Sequence, residues 1–166
     1  PGLAVCSVSE AAFEKANQVK NRGLYFDFIE LKKRNAKHQT PTTPPIPQIR
    51  GLTAQLDYIL NKEGLEKRFD RHEQLGISTR EWVKSINLEM FPEARYESNT
   101  VSTIKNSLDL DIPKMVSMLL GEGYRIVNGY GNLANITFRI GHMGEIQLKD
   151  LEKMLKVLGD IIKNLK

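Results

Sequence analysis

FRIGHMG, Phe138 to Gly144, read together with Ile136 and Thr137 before it, alternates with a period of two. Ile136, Phe138 and Ile140 fall on one side of an extended chain, and Thr137 and Arg139 on the other. The apolar side is core, so Arg139 leaves the opposite face just before Gly141 and Gly144 end the strand and let backbones approach closely. A guanidinium on a rigid strand is a planar fork of donors that matches a carboxylate. Taken alone, the pattern is more often that of an arginine standing in water, as long charged side chains ordinarily do.

Working back from this strand, everything after Phe91 reads β, α, β, β, α. Thr100 to Lys105 is a strand, and Asp111 caps a helix with the stripe Ile112, Met115, Val116 and Leu119, which Gly121 and Gly123 stop. Tyr124 to Val127 and Asn135 to Ile140 are two strands joined by the turn-rich NGYGNLA. A final helix, about Leu148 to Lys163, turns Leu151, Met154, Leu155, Leu158, Ile161 and Ile162 inward. The expected unit is α+β: a small antiparallel sheet with helices on one face, leaving open the face from which Arg139 emerges.

The earlier half is different in kind. LAVCSVS, Leu3 to Ser9, is apolar on both sides, as expected of a strand covered twice in a large α/β sheet. Ser9 caps a helix through about Lys20, and Tyr25 to Ala36 is a second helix. HQTPTTPPIPQ then carries four prolines, and Pro47 starts a helix from about Gln48 to Lys62 with the stripe Ile49, Leu52, Leu56, Ile59 and Leu60. Thr40, Thr42 and Thr43 therefore precede a helix N-terminus, where hydroxyls and free amides suit an anion such as phosphate; a plain proline-stiffened linker is the simpler reading. After Gly64 comes a long helix with the stripe Leu65, Phe69, His72, Thr79, Val83, Ile86 and Met90. Gly76 lies on the same face, where a close helix crossing or a break would account for it.

Bulk properties narrow the function classes. With 166 residues, 40% hydrophobic and 27% charged, the chain can bury a real core. A net charge of +4 from 24 basic and 20 acidic residues demands neither nucleic acid nor a membrane as partner, and the basic run Leu31 to His38 has no interleaved aromatics for base stacking. The one cysteine, Cys6, fits a reducing cytoplasm. No apolar run nears the ~20 residues of a membrane helix, and no set of ligands has metal-binding spacing. The start at Pro1, almost at once strand-like, reads as a piece of something longer.

Three stretches, PGLAVCSVSE, QTPTTPPI and TFRIGHMGEI, together resemble the class V, fold-type I aminotransferases that use pyridoxal phosphate, in particular the alanine-glyoxylate and serine-pyruvate branch. The resemblance implies that residues 1–62 are the end of the large cofactor-binding domain and 63–166 the small C-terminal domain. It implies that Arg139 grips the α-carboxylate of the substrate, and that Thr43, with Thr40 beside it, helps bind the cofactor phosphate of the neighbouring subunit in a homodimer with shared active sites. No catalytic residue is then expected in this chain: the family's Schiff-base lysine stands just before the PGLA stretch, upstream of Pro1. The implied chemistry is transamination from alanine or serine to glyoxylate or pyruvate, with the chain inactive alone. His142 and Met143 receive packing or orienting roles. The same β, α, β, β, α order also resembles ferredoxin-like regulatory modules that bind an amino acid without catalysis, through loop backbone around Gly129 and Gly131 rather than Arg139.

Overall fold

A computed structural model describes residues 2–165, so Pro1, the first residue of the PGLA stretch, and Lys166 lie outside it. The chain divides between Lys62 and Glu63 into two compact units, Pro1–Lys62 and Glu63–Lys166.

The second unit is built on four short strands: β1 (Glu89–Met90), β2 (Val101–Lys105), β3 (Val127–Asn128) and β4 (Thr137–Gly141). They pair antiparallel throughout in the order β1-β2-β4-β3. Thr103 stands opposite Arg139 on one side and Val127 opposite it on the other, so Arg139 occupies an interior strand held by ladders on both edges. The alternation predicted for this segment holds over 138–140, where Phe138 and Ile140 are wholly buried and Arg139 between them is half-buried. But Ile136, expected in the core, precedes the strand and is exposed, and Thr137, expected on the open side, is fully buried. Burying side chains of this size stabilises by roughly 1.5–3 kcal/mol each.

Three helices supply the other half of that core. These are Leu65–Ser85, Ile112–Gly121 and Leu148–Leu165, numbered α4, α5 and α6 because three others precede them in the first unit. Leu75 and Val83 from α4, Ile112, Met115 and Leu119 from α5, and Leu151, Leu155, Leu158 and Ile162 from α6 meet Ile104, Phe138 and Ile140. Asp111 caps α5 as its sequence predicts, its Oδ1 accepting from Lys114 N at 3.0 Å.

The stripe expected on α4 is only partly core. Leu65 and Phe69 are exposed, whereas Leu75, outside that stripe, is fully buried, because only the C-terminal half of the helix packs on the sheet and α6. Met90 belongs to β1, a strand the sequence reading did not assign. At Gly76 the helix neither breaks nor meets another helix. What approaches is the 95–99 segment: a Cβ there would lie 3.2 Å from the Asn99 Cα.

The first unit holds three helices: α1 (Glu10–Gln18), α2 (Phe28–Asn35) and α3 (Ile46–Asp57), the last running on into a π-helical turn at Tyr58–Glu63. Ser9 caps α1 by accepting from Ala12 N at 3.3 Å, and Asp27 caps α2 through the amides of Ile29 and Glu30. Arg22 donates to the same Asp27 carboxylate at 2.8 Å. That hydrogen bond from Arg22 and the α2 amides hold the carboxyl below its usual range against the opposing effect of desolvation. Lys32 of α2 lies over the Phe13 ring of α1, 4.1 Å from its centroid. Leu3 to Ser9, expected as a strand, forms no ladder: a strand exists only through a hydrogen-bonded neighbour, and residues 2–62 contain no strand.

Candidate functional site

Arg139 leaves β4 on the face turned away from α4, α5 and α6, flanked by Thr103 and Val127. Its guanidinium is not adrift. Nε–H and Nη2–H both donate to the main-chain carbonyl of Asn128, at 3.3 and 3.2 Å. Nη1 has no partner among the described residues, and Arg139 forms no ion pair there. The other cation on this face, Lys105, two positions along β2 from Thr103, is already paired with Glu89 at 3.0 Å. The face therefore presents one half-buried guanidinium with an open edge, which suits a carboxylate.

The 128–135 loop holds that arrangement in place. The Asn128 side chain accepts from the amides of Gly129 and Asn135, at 2.8 and 2.9 Å, and donates to Asn135 Oδ1 at 2.8 Å. Gly129 N in turn donates to the Thr137 carbonyl at 2.8 Å. The loop folds so tightly onto β4 that a Cβ at Gly129 would overlap the Leu133 carbonyl, and it buries Thr137, whose hydroxyl donates to that same carbonyl at 3.3 Å. From sequence, Asn128 was legible only as a turn residue, and Gly129 as a turn or as the ligand-binding loop of the ferredoxin-like alternative.

Behind Arg139 the strand end is pinned on the core side. His142 is fully buried and its Nε2 lies 2.9 Å from the Ser102 hydroxyl on β2. Burial pushes the imidazole below its ordinary range; the Asn99 main chain opposes that shift, and the nearby Arg80 and His72 of α4 add to it. The following residues are clamped by α4: Arg68 bonds the Gly144 carbonyl and pairs with Glu145 at 2.9 Å, and Arg71 donates to the Ile146 carbonyl at 2.8 Å. Glu63 joins both arginines at 2.7 and 2.6 Å. Desolvation pushes its carboxyl up, and the two guanidiniums more than offset that, leaving it below its usual range. This ion cluster has no counterpart in the sequence reading, since its members are separated by up to about eighty positions.

Thr40 and Thr43 belong to the first unit, so the structure does not gather them with Arg139. Both are exposed and sit ahead of α3, whose first turn has neither a side-chain cap nor an acidic residue. The Thr40 hydroxyl donates to the Thr42 carbonyl at 2.6 Å, and that of Thr43 has no partner among the described residues. The Ile46 amide donates to the Pro44 carbonyl at 2.9 Å and Pro47 has no N–H, so the Gln48 amide and the Thr43 hydroxyl are the donors left at this helix start, a small set of the kind that suits a phosphate. The same unit has an apolar cleft of about 560 Å³, lined by Val5, Phe13, Phe28 and Leu31 and reaching Thr40. No group of three or more potential metal ligands occurs among the described residues, and no helix there is long and apolar enough to cross a membrane.

No protein-family profile matches the chain. Individual proteins do. An uncharacterized aminotransferase of Methanocaldococcus jannaschii is 36% identical over 98% of this chain and 45% of its own length. A serine–glyoxylate aminotransferase of Methylorubrum extorquens is 33% identical over 87% of this chain and 38% of its own. Among solved structures, pyridoxamine-pyruvate aminotransferase from Mesorhizobium loti superposes with a TM-score of 0.85 at 25% identity, covering 95% of this chain and 42% of that one. The chain thus spans less than half the length of the relatives it matches, and on this likeness in both sequence and fold it belongs to the class V, fold-type I aminotransferases.

Proposed function

We propose that the full-length protein is a pyridoxal-phosphate-dependent transaminase that moves an amino group from a small L-amino acid, alanine or serine, to a 2-oxo acid, glyoxylate or pyruvate. In this reading residues 1–62 close the large domain and 63–166 are the small domain. Arg139 binds the α-carboxylate shared by every one of these substrates. The observation that carries the reading is its guanidinium: half-buried on a doubly paired strand, with one edge open and no acidic partner among the described residues, in a chain whose relatives include proteins named as aminotransferases, beside two named as soluble hydrogenase subunits.

Thr43 is the donor we assign to the cofactor phosphate of a neighbouring subunit, which makes the enzyme a homodimer with shared sites. Thr40 can contribute only by giving up its bond to Thr42. When bound, pyridoxal phosphate supplies an electron sink for the α-carbon. Lys15 and Lys149 are exposed and Lys105 is paired with Glu89, so no lysine of this chain is assigned the Schiff-base role, and residues 1–166 alone are expected not to turn over alanine with glyoxylate.

The test is Arg139→Ala in the full-length enzyme. Losing one partner of a desolvated charge pair costs roughly 2–5 kcal/mol, so KM for both amino and oxo substrates should rise by at least about thirtyfold. An unchanged KM would refute the assignment to Arg139, and a full-length protein that binds alanine or serine without turning either over would favour a non-catalytic amino-acid-binding module.

A further inference from the structure

Two nitrogens of the Arg139 guanidinium are already committed, and which two they are determines how a ligand can approach. Nε–H and the Nη2–H beside it point the same way, and both end on the Asn128 carbonyl. The side-on edge of the fork is therefore occupied. What remains is the tip, where Nη1–H and the second Nη2–H run parallel and match the two oxygens of a carboxylate.

The carbonyl that does this is itself immobilised. Three hydrogen bonds of the Asn128 side chain, to Gly129 N, Asn135 N and Asn135 Oδ1, tie both ends of the loop together, and the Asn135 carbonyl accepts from Asn106 Nδ2 at 3.0 Å. Asn135 takes part with φ at +63°, a left-handed conformation that asparagine tolerates better than most residues. The chain thus runs from a fixed loop to a fixed carbonyl to a guanidinium whose plane the carbonyl sets.

Resting on the reading of Arg139 as the carboxylate group's partner, we propose that Asn128 is a positioning residue. Its locked carbonyl occupies the side-on edge of Arg139, so the substrate carboxylate is taken end-on, in the guanidinium plane, through Nη1 and Nη2. A flexible arginine offers either edge; this one offers a single edge in a single plane, which lowers the ordering cost of binding.

The experiment compares Asn128→Ala, Asn135→Gly and Arg139→Ala in the full-length enzyme. Readouts are KM and kcat for donor and acceptor, melting temperature, and the Kd of propionate, an unreactive carboxylate, by calorimetry. Asn128→Ala retains the main-chain carbonyl but removes the side-chain bonds that fix it, and should raise both KM values and the propionate Kd by about tenfold, with kcat changed by less than about threefold. Added to Arg139→Ala it should have no further effect on propionate binding. Asn135→Gly keeps the left-handed turn and removes only the Asn135 Oδ1 acceptor; it should give a smaller rise of about threefold and decides the matter should Asn128→Ala fail to fold. If Arg139→Ala weakens propionate binding and a folded Asn128→Ala or Asn135→Gly protein leaves it unchanged, the positioning role is overturned while the carboxylate site stands. If Arg139→Ala itself has no effect, both fall.

Discussion

Arg139 and His142, three positions apart, meet their surroundings in opposite ways. Arg139 keeps one edge of its guanidinium free of any partner among the described residues. His142 sits at zero exposure, and burial favours the neutral form of its imidazole. The linkage follows from the sign of that shift. In the unfolded chain the group titrates near 6.5, and in the fold it titrates lower, so the unfolded state takes up the proton first as pH falls. The stability contributed by neutral His142 is complete above 6.5 and is lost as pH drops from there towards the folded value. Melting temperature should therefore fall from about pH 7 to about pH 5, and the fall should be shallower in His142→Gln, which keeps a hydrogen-bonding group near Ser102 but cannot charge. Equal slopes in the two proteins would contradict this account.

Two of the structural devices around the site can be tested by small changes to a loop and a helix. Gly129→Ala forces a methyl group onto the Leu133 carbonyl, which is main chain and cannot swing aside. Urea denaturation should show a loss of roughly 3 kcal/mol, the upper part of the ordinary range for overpacking, and a gain or no change would mean that the loop is looser than described. Asp111→Ala removes the single side-chain cap of α5 and should cost about 1 kcal/mol by the same measurement. The Asp111 cap, the apolar face of α6 and the alternation of β4 were all legible because each is a relation between residues within one element. The 128–135 loop was legible as a turn, with a ligand-binding backbone as the alternative, but not as the support of Arg139, since its bonds to Arg139 and Thr137 depend on β3 and β4 being neighbours. The two-residue strand β1 is too short to show any period.

Burial is distributed very unevenly over the molecule. All the buried hydrophobic residues lie between Leu75 and Ile162, whereas none of residues 2–62 is buried. Most apolar side chains of α3 and the π-helical turn after it remain at the surface, with Ile46, Ile49, Leu56 and Leu60 exposed and Leu52 half-buried. Amide hydrogen exchange on the 166-residue chain should accordingly show strong protection confined to 63–166, with 2–62 exchanging close to the free rate, and limited proteolysis should cut first within 2–62. Comparable protection in both units would show that burial underestimates the stability of the first. The strand expected at Leu3 to Ser9 fails for a related reason: its sequence has the composition of a buried strand, but pairing needs a partner that no residue of 2–62 supplies.

Local patterning was enough to reveal the second unit. Period-two alternation, helical stripes, one cap and the glycine stops specified a β, α, β, β, α unit with Arg139 on its uncovered face, because amphipathic elements have few ways to bury their apolar sides together. Three motifs in order were enough to suggest the family to which the chain belongs. The pairing order β1-β2-β4-β3, the Glu63–Arg68–Arg71–Glu145 cluster and the Asn128 carbonyl beneath Arg139 became visible only in the fold. Each joins residues far apart in the chain, where hydrogen bonds and ion pairs have short reach and leave no periodic trace, so strand order and helix docking had to exist before those contacts could form.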